Sequence, residues 1–203
     1  MKVFGVLALL AAVLMVVPLQ AGLIISTGNN PQPNEENILF NEVGLIGVGN
    51  PVTGMTNQSS LLVTFTSTET LVTPSGGQAR FEAQDGGLMG FIVAMPGSTF
   101  EDYIFNLNTP VGVSGTATIK VNASSVLTGT FSIGSGSNFF TVLATSPDRI
   151  TSVEVISSVP LTDVRQNRIS GAAADIPEPG SVLLFSSGLI GLAILGARRR
   201  HRK

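Results

Sequence analysis

The middle of this sequence predicts an all-β fold, an antiparallel β-sandwich, and three observations predict it. Gln78, Arg80 and Glu82 alternate with Ala79, Phe81 and Ala83, and Thr116, Thr118 and Lys120 alternate with Ala117, Ile119 and Val121, the period-two pattern of half-buried strands. Short apolar or β-branched runs recur about every 10–15 residues between turn-forming stretches. No stretch keeps a 3.6-residue apolar period over ten or more residues, and the Thr, Val, Ser and Gly that dominate suit sheets better than helices.

The elements follow in chain order. Lys2 precedes a 15-residue apolar run, Val3–Val17, and Pro18, Leu19, Gln20 and Ala21 come next. A positive start, an apolar centre and a small residue at the end are the parts of a signal peptide, so residues 1–21 are read as one, cut between Ala21 and Gly22. The run is shorter than the roughly 20 residues that a spanning helix needs. Residues 22–170 form the exported domain. Its first part, Asn30–Asn37, is polar and holds Pro31 and Pro33, which predicts an extended surface loop. Beyond the two alternating segments, strands are expected at Leu61–Thr66, Leu88–Ala94, Tyr103–Leu107, Phe139–Leu143, Ile150–Ile156 and Val164–Ile169. Pro74-Ser75-Gly76-Gly77, Asp85-Gly86-Gly87, Pro96-Gly97-Ser98 and Gly134-Ser135-Gly136-Ser137 separate them as turns. Jelly-roll and immunoglobulin-like sandwiches both fit. With neither Cys nor Trp, the chain lacks the markers of a true immunoglobulin domain, and the jelly-roll-like arrangement is favoured.

Residues 171–180 read as a linker, in which Ala172, Ala173 and Ala174 could form a short helical turn before Pro177 and Pro179 end it. The 17 residues Ser181–Ala197 are apolar and, at about 1.5 Å per residue, span roughly 26 Å as a helix, enough for a thin bilayer. Arg198, Arg199, Arg200, Arg202 and Lys203 close the chain and hold it on the cytoplasmic side, which places the middle domain outside the inner membrane. Ser187 and Gly191, four apart, offer a close-packing helix face.

Pro177, Glu178 and Pro179, then an apolar span, then a terminal Arg cluster, together with the N-terminal signal peptide, resemble the PEP-CTERM sorting signal. The resemblance covers residues 177–203. It implies recognition of Pro177, Glu178 and Pro179 by an exosortase, a membrane-embedded, cysteine protease-like transpeptidase that removes the tail and passes the protein towards the surface of bacteria that make exopolysaccharide and biofilm matrix. The segments Asn138–Val142, Ile150–Ile156 and Asp163–Ile169 look like the C-terminal part of the β-rich outer domains of that family, a likeness that assigns no activity. The alternative for the tail is an ordinary single-pass anchor on a proline-rich stalk, which keeps Arg198–Lys203.

Composition narrows the chemistry. Residues 22–176 carry twelve acidic and five basic side chains, a net charge of −7, which disfavours nucleic acid as a partner. The chain has no Cys, and its single histidine, His201, lies in the basic tail, so thiolate zinc sites and the usual nucleophile–base pairs have no residues to use. Ser-Lys chemistry would have to use Lys120, an outward position on an alternating strand. A glycosidase needs two carboxylates roughly 5–10 Å apart, for which Glu42, Glu82, Glu101 and Asp102 are candidates. One Tyr and no Trp make a thin platform for a sugar. Asp85, Glu101, Asp102 and Asp163 could supply oxygen ligands to calcium, but no loop has a dense Asp-x-Asp pattern. Asn57-Gln58-Ser59 and Asn122-Ala123-Ser124 fit the N-glycosylation pattern, which needs a eukaryotic-type secretory route. The expectation is a protein that is not an enzyme and uses no cofactor. It would be a binding or structural module associated with exopolysaccharide or other envelope components, with an exosortase as its processing partner.

Overall fold

The computed structural model describes residues 22–74 and 80–174. The predicted signal peptide, the Pro-Glu-Pro stretch, the membrane helix and the basic tail lie outside them. Among the described residues every regular element is a strand: β1 (Gly22–Thr27), β2 (Glu36–Leu39), β3 (Val48–Gly49), β4 (Val52–Thr56), β5 (Leu62–Thr66), β6 (Leu71–Val72), β7 (Arg80–Ala83), β8 (Leu88–Ala94), β9 (Ser98–Thr99), β10 (Asp102–Thr109), β11 (Gly115–Asn122), β12 (Val126–Ile133), β13 (Gly136–Thr145), β14 (Ser152–Leu161), β15 (Asp163–Ser170) and β16 (Ala173–Ala174).

All pairings are antiparallel, and they build two layers. The first runs β1-β13-β10-β15 and the second β4-β5-β8-β14-β11-β12. Strand β2 joins them at one side: Glu36 and Asn37 pair with β15, whereas Ile38 and Leu39 pair with β4. Next to β2, β15 also pairs with β7, which leads through β6 to β3. From β10 onward the chain alternates between layers except at the β11–β12 hairpin.

The expected alternation holds where one face is wet. In β11 Ala117, Ile119 and Val121 are buried, and Lys120 points outward. Between the layers the aromatic rings form one chain of contacts, Phe40–Phe65–Phe81–Phe91–Phe105–Phe140–Phe131, with neighbouring centroids 4.7 to 6.1 Å apart. The Phe91–Phe105 and Phe131–Phe140 edges each cross from one layer to the other. Tilted, edge-to-face and stacked contacts join these rings, which are buried in the core except for the partly buried Phe40 and Phe131. Tyr103 stacks on Phe105 at 4.7 Å, and its hydroxyl donates to Asn167 Oδ1 at 2.6 Å. Burial pushes its phenol pKa well above the ordinary value.

The two outer faces differ. On the first layer, the chain between β1 and β2 crosses the sheet as a strap. Thr141 Oγ1 donates to the Gly28 carbonyl at 2.9 Å and accepts from the Asn30 amide at 3.1 Å. Arg168 pairs with Glu35 at 2.8 Å and also donates to Asn29. Ile104, an outward residue of β10, is consequently fully buried. The polar segment expected as a surface loop is this strap, fastened by hydrogen bonds. At its end, the Glu36 carboxylate caps the β4–β5 turn by accepting from the amides of Gln58 and Ser59 at 2.9 and 2.7 Å. Burial raises the pKa of Glu36, and the bonds from Ser59 and Gln58 outweigh that effect, so it sits below the ordinary value.

Candidate functional site

No described segment crosses the outer face of the second layer. Four neighbouring strands present Ile92 of β8, Glu154 and Ile156 of β14, Thr116, Thr118 and Lys120 of β11, and Thr128, Thr130 and Ser132 of β12. Cross-strand neighbours satisfy each other: Thr118 and Thr130 hydroxyls are 3.0 Å apart, Asn122 Nδ2 donates to Ser152 Oγ at 2.9 Å, and Lys120 Nζ lies 3.5 Å from Glu154 Oε2. Each pair is directly opposite in the ladder, so the register itself builds this polar surface.

A groove of about 370 Å³ opens at the β5 end of this face. Thr66, Ser67 and Thr68 form one bank, and Ile92, Glu154 and Ile156 form the other, with Gly90 between them. Glycine is required there, because a Cβ at position 90 would come within 2.8 Å of the Val155 carbonyl oxygen. Strand β5 pairs with β8 only as far as Thr66 opposite Ile92. Beyond it, Ser67 Oγ donates to the Gly90 carbonyl at 2.6 Å, and Glu69 Oε2 accepts from the Met89 amide at 3.0 Å. Side chains thus replace the missing strand and leave a recess lined by hydroxyls, one carboxylate and apolar Ile92 and Ile156. Such a surface can hydrogen-bond a polyhydroxylated ligand and shelter its apolar faces. Among the described residues no aromatic side chain is exposed, so ring stacking is not available to it.

The acidic residues singled out in the sequence are dispersed. Glu42 is exposed between β2 and β3. Glu82 lies 3.8 Å from Arg80, and Glu101 is paired with Arg149 at 2.7 Å. Asp85 Oδ1 accepts from the Gly87 amide in the β7–β8 turn. Asp163 is fully buried, held by both Nε and Nη2 of Arg165 at 2.6 Å and by Arg80 at 3.6 Å. The guanidinium of Arg165 is raised in pKa by the Asp163 hydrogen bonds. Asp102, also fully buried, accepts from Ser170 Oγ, and burial raises its pKa to about 6. Among the described residues no three acidic or histidine side chains converge. Of the two glycosylation-pattern asparagines, Asn57 accepts from the Asn37 amide through Oδ1, and Asn122 bonds Ser152.

Sequence reasoning missed the groove. Its signal is Gly90 inside an otherwise apolar strand, which marks close backbone approach. A second recess is lined by Glu69, Thr70, Gln84 and Asp85, a grouping that sequence spacing does not reveal.

Both ends of the described domain lie at one pole. Gly22, on the domain side of the expected cleavage point, pairs with Thr145 at the end of β13, and Ala173 pairs with Thr99 beside the start of β10. Arg149 fastens the exit: its Nε donates to Thr99 Oγ1 at 2.7 Å, and Nη2 reaches the Gly171 carbonyl. The stretch read as a linker therefore begins with ordered backbone, and Ala173–Ala174 is strand rather than helical turn. Ala21, Pro177, Glu178, Pro179 and the basic residues 198–203 lie outside the described residues.

No curated protein matches the chain. Among solved structures, a family 29 carbohydrate binding module from Piromyces equi is similar at 10% identity and a TM-score of 0.25, over 74% of this chain and 91% of that one. The model of the PEP-CTERM protein-sorting motif matches residues 175–200. Directly after the fastened exit strand, the chain thus carries a PEP-CTERM protein-sorting signal, the mark of an exported surface protein.

Proposed function

We propose that this protein is a non-enzymatic surface or matrix module. Its jelly-roll-like sandwich is exported behind a cleaved signal peptide and held by the 181–197 helix with its C-terminus in the cytoplasm. An exosortase then releases it at Pro177, Glu178 and Pro179. The sorting motif at residues 175–200 carries the reading. The shared pole of the two chain ends supports it. Only six residues, 175–180, separate Ala174 from Ser181, at most about 20 Å of extended chain, so the precursor hangs with that pole towards the bilayer.

Outside the cell, the open face of β8, β14, β11 and β12 contacts exopolysaccharide through hydroxyls and amides. Two observations favour binding over chemistry. Lys120, the Ser-Lys candidate, is paired with Glu154, and Glu101 and Asp102 are engaged by Arg149 and Ser170 respectively. Intact mass and terminal sequencing of the protein from its own host test the processing. A chain from near Gly22 to Pro177–Pro179, lengthened to Lys203 when the exosortase is deleted, is expected. Retention of Arg198–Lys203 in the wild-type host would make it a plain single-pass protein. A glycan array tests the second part: binding that Thr118→Ala with Ile156→Asp abolishes is expected, and an array blank for the folded wild-type domain would overturn it.

A further inference from the structure

The two sides of the sandwich are finished differently. On one, β2 turns the corner between layers, and the ladder beyond β15 ends in the two-residue strand β3. Corners and very short edges are how sheets avoid pairing with another chain. On the other side, β1 and β12 are the last strands of their layers, six and eight residues long, and neither contains a charged residue or a proline.

These open edges lie one above the other. A Cβ at Gly129 of β12 would be 3.6 Å from the Ile25 side chain of β1. Between them the core is incompletely covered: Leu23, Ile25, Leu127 and Phe131 pack against it yet stay only partly buried. The side therefore presents an apolar seam flanked by two rows of backbone groups that have no strand partner among the described residues.

We propose that this side binds a second copy of the chain, making a two-fold dimer in which β12 pairs with β12 and β1 with β1. A two-fold axis normal to the layers brings both pairs together at once in antiparallel register and closes the seam with its own image. Identity of the partner follows from charge. Isologous pairing sets like residues near each other, which repels charged strands but not neutral ones, whereas the domain elsewhere is strongly acidic. Because the other side is blocked, addition stops at two copies and no filament grows.

Light scattering on the mature protein from its host tests this apart from the processing, since the same sample's termini are read by mass. Twice the chain mass is expected, falling to a single chain in Thr130→Lys with Ser132→Lys, whose partners across the ladder, Thr118 and Thr116, are uncharged. Circular dichroism should be unchanged. Should that variant not fold, amide exchange of the wild type decides: β12 amides should lose protection on dilution while β10 amides keep theirs. A monomeric wild type, a dimer that survives the lysines, or exchange of β12 that ignores concentration would each overturn the proposal. A monomer with correctly processed ends would leave the sorting function standing.

Discussion

The two outer faces of this sandwich are made by the same kind of strand and end in opposite states. On the first layer, the strap between β1 and β2 crosses β13 and β15, so that Ile104, Asp102 and Thr141 are buried although they point away from the core. On the second layer, Ile156 is 54% exposed and the hydroxyls of Thr118 and Thr130 face solvent. A strand's outward residues are thus not surface residues by virtue of direction. The binding role proposed here rests on the layer that no described segment crosses.

The sharpest way to test that contrast compares two outward isoleucines. Ile104→Ala should destabilise by about 2–5 kcal/mol, the cost of a cavity in packed surroundings. Ile156→Ala should cost less than about 1 kcal/mol, because little surface is lost from contact. Urea midpoints measure both, and equal losses would show that the strap does not cover its face.

Next in size is the strap's ion pair. Arg168 and Glu35 have side chains only 18% and 10% exposed. Glu35→Ala leaves the guanidinium without its carboxylate and should cost roughly 1–3 kcal/mol, below a fully buried pair because Asn29 still accepts from Arg168. Loss of protection in amides 28–36 by hydrogen exchange should accompany it. A stable variant with those amides still protected would mean that Thr141 alone holds the strap.

Asp102 gives the same face a pH signature. Its folded pKa of about 6 lies above the ordinary 3.8, so the native state holds more protons than the unfolded state between those values. Stability from this group is therefore full below about pH 4, falls as pH rises to about 6, and is flat beyond, a loss on the order of 1–3 kcal/mol. Asp102→Asn should remove that fall, seen as the difference between wild-type and variant unfolding free energies at pH 4 and pH 7. Parallel pH curves would refute the raised pKa.

The smallest effect belongs to the open face. Lys120→Ala should change stability by about 0–1 kcal/mol and lose even that at high salt, since the pair with Glu154 is half exposed. A larger, salt-insensitive loss would indicate that this face is covered in solution.

Much of the architecture was legible. Leu88–Ala94 is a strand over its full expected length, and the runs at Leu61, Tyr103, Phe139, Ile150 and Val164 each overlap one. β1, β4 and β12 were not anticipated. Gly22–Thr27 adjoins the apolar leader, Val52–Thr56 contains Gly54, and in Val126–Ile133 Gly129 takes one of the inward places and weakens the alternation. The first half of β2, Glu36 and Asn37, was absorbed into the polar Asn30–Asn37 segment, and the strand's two halves serve different layers. Of the chemistry, Lys120 was correctly placed outward by alternation alone. The burial of Asp102 and Asp163 was not foreseeable, because it depends on Ser170 and Arg80 brought in by other strands, and only Arg165, two residues along the same strand, was adjacent to Asp163 in sequence.

By itself the sequence determined the sorting signal at 175–200 and the β class, since both rest on contiguous residues: a Pro-Glu-Pro step before an apolar span, and side chains that alternate every residue along a strand. Which face is covered, which edge is open and where a groove forms were decided only by tertiary structure. Each depends on residues far apart in the chain, Glu35 with Arg168, Ser67 with Gly90, Ile25 beside Gly129, and local propensity carries no information about which strand will arrive next to which.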